Sequence, residues 1–367
     1  MKRLVLLGAG HAHVHVLKSL MESPLAKVAV TLISPYDRQV YSGMLPGWVA
    51  GHYALDDCVI PLAPLVVAAG VQFQQTAAMH IDFRRNEVHC ANGNKVAFDL
   101  LAIDTGPVAD LSLIPGAAEY AISLRPIEAF IESFERIKNT ILRHSTGHKT
   151  RIVFVGAGAG GIELALAMQH FFSSRVAVTL ISAANTLPGS VGPKLTRILA
   201  QQGVTLLSNR VASRIERGAV HLQSGEIIEA DIVIAATGAT AAAWLGKSGL
   251  QTDERGFVLV NDYLQSVSHE NVFAAGDCAT MMNFIRPKSG VYAVRAGPPI
   301  AGNLRHYLNN EPLAAYAPQA RSLYLVSTGD KYAIASWGNF ALQGHWVWRW
   351  KDRIDRGFMA KYALKLP

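Results

Sequence analysis

The sequence predicts an α/β fold of two parallel β-α-β units built to one plan, followed by a short C-terminal cap, and three observations predict it. Residues 4–10, LVLLGAG, recur as IVFVGAG at 152–158, and VAVTLIS at 28–34 recurs letter for letter at 176–182, both at an offset of 148 residues. Two elements repeated in register mark one structural unit used twice. GAGAGGIELALAM at 156–168 sets Gly156, Gly158 and Gly161 in G-x-G-x-x-G order between a strand-like and a helical run, the context that gives this motif weight. FDLLAIDTG at 98–106 and ADIVIAATG at 230–238 each run an apolar strand into Thr-Gly (Thr105-Gly106 and Thr237-Gly238), one behind each glycine unit. Two Rossmann-like dinucleotide-binding domains follow.

Composition agrees with a globular chain. Of 367 residues 50% are hydrophobic and 17% charged, enough to bury a sizeable core in two or three modules. Mean hydropathy is +0.20, yet no uninterrupted apolar run reaches the length of a spanning helix. The opening MKRLVLLGAG has a basic tip but breaks into glycine and histidine, so it is read as a first strand and not as a signal peptide. Cys58, Cys90 and Cys278 form neither a disulfide framework nor a zinc pattern, which points to a reducing cytoplasm. The net charge of +7 is the kind a nucleotide-binding chain gathers, and no nucleic acid partner is expected.

The first glycine turn is irregular. GAGHAHVHVL at 8–17 keeps Gly8 and Gly10 but has His13 where the second copy has Gly161. In such a turn the first glycine permits the tight bend, the second lets backbone approach a pyrophosphate at the helix N-terminus, and the third allows close helix packing. Only the packing glycine is exchanged, so His13 is expected either to tilt the helix or to donate to a phosphate. His11, His13 and His15 also resemble the H-x-H of metal-dependent hydrolases. That alternative has no use for a second fingerprint, and no metal is expected. NVFAAGDCA at 271–279 gives a further buried strand ending in Gly276-Asp277, then an apolar helix over 290–308. A helix is also predicted over 127–144, within a stretch of otherwise connecting character.

This order of motifs resembles the pyridine nucleotide-disulfide oxidoreductase superfamily over residues 1–310. The resemblance implies an FAD domain with an inserted NAD(P)H domain: 1–118 as the first part of the FAD-binding domain, 119–245 as the NAD(P)H-binding domain, 246–310 as the second part, and 311–367 as the cap. It implies that Gly8 and Gly10, with His11 and His13 beside them, hold the FAD pyrophosphate, that Asp277 accepts from the ribityl chain, and that Gly156, Gly158 and Gly161 hold NADH or NADPH. Glu163 matches the family's acidic position near the nicotinamide; the other reading is a helix-start acid favoured by the macrodipole. Hydride would pass from nicotinamide to flavin, with the helix opening near Gly290, through Val291 and Tyr292, stabilising the charge that develops. Lys288 and Arg295 are placed to assist, or are ordinary solvated cations.

The departures are informative. Where the family has an acidic residue for the adenosine ribose, this chain has Ser34 and Ser182, which leaves NADH versus NADPH open, with Asp37 and Arg38 as substitutes on the FAD side. No close cysteine pair exists, so electrons are expected to leave the flavin directly for a small acceptor. That resembles the type II NADH dehydrogenases and quinone-reducing relatives. Family position puts Tyr41 and Pro46 of YSGMLPG in the acceptor pocket. The segments 41–53, 287–304 and 346–362 resemble the reductase found beside or fused to selenophosphate synthetase, which makes a selenium- or sulfur-linked acceptor and a separate synthetase partner the alternative. The competing class is a non-enzymatic FAD/NAD(H) sensor. Trp346, Trp350, Ile354, Phe358 and Tyr362 form an aromatic stripe flanked by Arg349, Arg353, Arg356 and Lys361. This amphipathic helix is read as lying on an anionic membrane face, as docked on its own domain, or as a partner site.

Overall fold

The computed structural model describes residues 1–143, 149–185, 187, 191–338 and 340–364. The chain begins with β1 (Lys2–Leu7), α1 (His11–Glu22), β2 (Val28–Ser34), the short α2 (Leu45–Val49), β3 (Gln72–Gln75) and β4 (Leu100–Ile103). It continues with β5 (Ala121–Ser123), α3 (Ile127–Arg143), β6 (Thr150–Val155), α4 (Ala159–Phe172), β7 (Val176–Ile181), β8 (Thr205–Leu207) and β9 (Ile232–Ala235). It then returns through β10 (Val272–Ala274) and α5 (Gly290–Asn309). The last elements are β11 (Tyr324–Ser327), β12 (Ala333–Trp337), β13 (Phe340–Gly344) and α6 (His345–Ala360).

Two five-stranded parallel sheets result, ordered β10-β4-β1-β2-β3 and β5-β9-β6-β7-β8. The repeat in sequence is a repeat in register: β1 pairs β2 from Lys2–Val28 to Leu7–Ile33, and β6 pairs β7 from Thr150–Val176 to Val155–Ile181. Strands covered on both faces need continuous apolar runs, and Leu4–Leu7, Leu100–Ile103 and Val272–Ala274 are accordingly buried throughout. The α/β fold of two Rossmann-like units is therefore the observed one.

The units are joined by apolar packing. The chain around α2 buries Met44, Trp48 and Val49 in one core with Phe130, Phe134, Phe154 and Leu166 of the second unit. The two crossover segments pair antiparallel, Val108 with Thr240 and Ala109 with Ala239. Such contacts hold the two units against each other.

Three features were not predicted. Each unit carries a three-stranded antiparallel meander, at 78–97 and 212–229, made of strands of three to five residues, too short for a periodicity to show. The cap holds an antiparallel sheet β11-β12-β13 ahead of its helix. The helices predicted over 290–308 and 346–362 are α5 and α6, and that predicted over 127–144 is α3, with His144 outside the described residues.

The predicted aromatic stripe divides along α6. Phe358 and Tyr362 are buried with Val347, Lys351 and Asp355, whereas Trp346, Trp350 and Ile354 are exposed. Gly357 sits inside the helix without ending it.

Candidate functional site

Three glycines from two turns close on Asp104, the residue before Thr105-Gly106, which the sequence reading leaves without a role. Gly8 has φ of +87°, and a Cβ there would lie 2.5 Å from the Asp104 carbonyl oxygen. Side chains on Gly10 or Gly276 would each begin 2.3 Å from Asp104 Oδ1. Asp104 is buried, and its Oδ2 accepts from the backbone N–H of Ala12 at 2.8 Å and of His13 at 3.0 Å, the first turn of α1. Burial pushes this carboxyl up to about 7, against the two N–H groups and with Asp277 adding repulsion.

This arrangement answers the irregular turn. In the second unit Gly161 is required, since a Cβ there would meet Gly156 O at 2.3 Å and the Ala236 methyl at 2.9 Å. The first unit exchanges both partners, with Asp104 in place of alanine at the strand end and His13 in place of glycine. The His13 ring turns inward, fully buried, and Nδ1 donates to Gly8 O at 2.6 Å; burial holds the imidazole down at about 4, hence neutral. His13 thus supports the turn through Nδ1, while its Nε2 is buried with no hydrogen-bond partner. His15 packs instead where α1 crosses α5 at Gly297.

Gly8, Gly10, His11, Ser34, Arg38, Thr105, Gly106 and Asp277 line one cleft of about 300 Å³, together with Asp104, Arg125, Glu128 and Gly290. The cleft fits a dinucleotide by its glycine cradle and by His11, whose Nε2 is buried with no hydrogen-bond partner. Burial, with Arg125 nearby, pushes the His11 imidazole down to about 4. Asp277 is buried at 3.9 Å from Arg125 Nη2, and burial raises its carboxyl while Arg125 and Lys288 oppose. Arg125 lies in a stretch read from sequence as connecting chain, and no motif signals it.

Ser34 lies at the cleft, whereas Ser182, Lys288, Val291 and Tyr292 do not line it. Ser34 Oγ donates to Tyr36 O at 3.1 Å and Ser182 Oγ to Ala184 O at 3.2 Å, so each hydroxyl's hydrogen is used in its own turn. Lys288 donates to Ala279 O and to Thr280 Oγ1 at 2.9 Å and sits 4.1 Å from the Phe257 ring centroid. It is neither a free solvated cation nor a cleft residue. Tyr292 shares with it a smaller pocket that adjoins the cleft at Asp277, and Val291 is exposed.

In the second unit Gly156 has φ of +114° and Gly158 faces open space, with nothing within 4 Å of an added Cβ. Gly238 lies beside Arg255. Glu163 Oε1 accepts from Ser327 N–H at 2.8 Å, tying α4 to the cap. Burial pushes its carboxyl up to about 7, Lys351 drawing it down and Asp355 raising it.

Between the units and the cap lies a buried polar array. Lys351 Nζ is 2.6 Å from Asp355 Oδ2 and donates to Gly43 O at 2.5 Å. The Tyr41 hydroxyl donates to Asp355 Oδ1 at 3.1 Å, and its ring stacks on Phe358 at 4.3 Å. Burial and Asp355 push the Tyr41 phenol far up. Pro46 is buried within α2. Tyr41 and Pro46, expected in the acceptor pocket, sit on a loop that α6 packs against.

All three cysteines are buried and unbridged. Burial, the largest cause each time, pushes the thiols of Cys58 and Cys278 up to about 12 and raises that of Cys90.

Comparison with known proteins adds the wider context. The family model described as pyridine nucleotide-disulphide oxidoreductase matches residues 2–297. The demethylphylloquinone reductase NdbB of Synechocystis is 26% identical over 68% of this chain, which spans only 64% of that relative's length. A probable NADH dehydrogenase of Dictyostelium discoideum is 24% identical over 94% of this chain and 82% of its own. Among solved structures, the sulfide:quinone oxidoreductase of Aquifex aeolicus aligns with a TM-score of 0.82 at 19% identity, over 99% of this chain and 91% of that one. NDH2 of Plasmodium falciparum in complex with NADH aligns at 0.78 and 14%, over 98% and 97%.

Proposed function

The chain belongs to the pyridine nucleotide-disulphide oxidoreductase family and is an FAD- and NAD(P)H-dependent oxidoreductase, and on that premise we propose that it reduces a small quinone-like acceptor without a redox disulfide. The observation that carries this reading is the state of the cysteines: three buried, unbridged thiols held in the protonated form, none in the thiolate form that disulfide exchange requires. The quinone-reducing relatives support the acceptor class.

Bound FAD supplies the two-electron chemistry, accepting hydride from the nicotinamide and returning electrons to the acceptor. In our reading residues 1–118 and 246–310 form its domain, 119–245 the NAD(P)H domain and 311–367 the cap. The Gly8–Gly10 turn and Asp277 hold the flavin nucleotide, and the α5 N-terminus at Gly290 stabilises negative charge beside it. Gly156, Gly158 and Gly161 hold the nicotinamide nucleotide. Glu163 keeps a proton at its carboxyl for the reduced acceptor, while the Lys351–Asp355–Tyr41 array positions the 41–47 loop and excludes water.

The exposed Trp346, Trp350 and Ile354 support a peripheral bilayer contact; among the described residues no helix is long and apolar enough to cross a membrane. A selenium- or sulfur-linked acceptor is the alternative implied by sequence resemblance alone, and none of the relatives named above carries it. The test is an anaerobic titration of the purified flavoprotein with NADH and then NADPH, followed by turnover with a quinone, with a disulfide, and with a selenium or sulfur oxyanion. Bleaching by one nucleotide and turnover with the quinone, unchanged when Cys58, Cys90 and Cys278 are all serine, is expected. Turnover confined to the disulfide would overturn it.

A further inference from the structure

Of the carboxylates that line the cleft, Asp104 is the one bonded to the N–H groups at the start of α1, where a nucleotide pyrophosphate would be held. An α-helix N-terminus attracts anions through its free N–H groups, and in α1 two of these already bond to the Asp104 carboxylate. Asp104 lines the same cleft as Gly8, Gly10 and His11. It cannot swing aside, since the backbone of Gly10 and that of Gly276 close on its Oδ1 from two directions. The second glycine unit has Ala236 at the end of the corresponding strand, with no carboxyl at its turn. One unit therefore meets its nucleotide with an anion already in place, and the other does not.

The groups facing Asp104 offer no compensating charge. From α1 come His11 and His13, both held neutral by burial. From the turn after β10 come the Asp277 carboxyl, whose field repels, and the buried Cys278 thiol. The cations Arg125 and Lys288 act on Asp277, one step removed. Bringing two phosphate charges to this buried carboxylate is costly, and the cost disappears if the carboxyl takes up a proton.

We propose that Asp104 is a proton-linked positioning residue for the dinucleotide: the cleft accepts the FAD pyrophosphate with the Asp104 carboxyl protonated, so that FAD binding draws one proton from solvent. Neutral, the carboxyl keeps one oxygen for the Ala12 and His13 N–H groups and gains a hydroxyl that donates toward the cleft. Its titration near neutral pH in the free cleft makes the uptake measurable around pH 7. This rests on the reading that the first cleft is the FAD site.

The test is calorimetric titration of the flavin-stripped full chain with FAD at pH 8 in two buffers of different ionisation enthalpy, with affinity followed by flavin fluorescence from pH 6 to 8.5. Uptake close to one proton, and an affinity that weakens about tenfold per pH unit above 7, is expected. Asp104→Asn should abolish the uptake and flatten the profile. A wild-type chain that binds FAD with no proton exchanged, or an Asp104→Asn chain that keeps the slope, overturns the proposal, and the wild-type count decides it even if the variant does not fold. A chain that binds no FAD at any pH overturns the site reading as well, a result distinct from either.

Discussion

The Glu163 carboxyl accepts one backbone N–H and feels Lys351 and Asp355 with opposite signs, so burial decides its titration near 7. Below that pH it carries a proton, and an unfolded glutamate has lost one by about 4.3. The native state therefore binds the extra proton across that window, and its stability falls as pH rises through it. Glu163→Gln should flatten this decline. If the proton serves the reduced acceptor, kcat/KM falls as pH rises through 7, and Glu163→Gln is slower by about 100-fold and flat; an inflection that survives the substitution removes Glu163 from the chemistry. Glu163 could be singled out from sequence because a fingerprint fixes its place, but its bond to Ser327 of the cap could not. Asp104 and Arg125 could not be singled out: their partners come from α1 and from the turn after β10, 91 to 152 residues away by position, and only folding assembles them.

At the scale of elements, Gly158 at the N-cap of α4 and Gly161 inside it separate binding from packing. A methyl on Gly161 would sit 2.3 Å from Gly156 O, while one on Gly158 meets no protein atom within 4 Å. Gly161→Ala should destabilise by about 1–3 kcal/mol in a denaturant titration. Gly158→Ala should fold normally and raise KM for NAD(P)H; equal effects of the two would contradict the assignment. In α6, both members of the Lys351–Asp355 pair are buried, with side-chain exposures of 10% and 6%. Removing one partner leaves a buried charge, so Lys351→Met should cost about 3–5 kcal/mol, and adding Asp355→Leu should recover most of it. The strands and helices of the repeat were legible because long apolar runs and 3.6-residue patterns survive in sequence. The meanders and the cap sheet were not, because strands of three to five residues carry too few alternations.

At the scale of the molecule, the buried face of α6 is fully engaged on its own chain, which leaves its other face to be explained. Tyr53 donates to Asp352 at 2.8 Å and Tyr41 to Asp355 at 3.1 Å, so the helix is clamped over the 41–53 segment. Trp346, Trp350 and Ile354 are then 39–48% exposed, and the preceding sheet adds Trp337, Phe340 and Leu342, each more than half exposed. Single exposed apolar residues are ordinary, but six within 18 residues of chain are not. Arg349 and Arg353 are exposed on the same helix, which suits the interface of an anionic bilayer. Co-sedimentation with vesicles of mixed phosphatidylcholine and phosphatidylglycerol should therefore capture the wild type and weaken with salt. Changing Trp346, Trp350 and Ile354 to serine should release it while NAD(P)H turnover with a water-soluble quinone persists, because the three side chains are exposed whereas Lys351 and Asp355 of the array are buried. A triple variant that still binds vesicles, or one that loses soluble turnover, would show that this face belongs to the fold and not to a membrane.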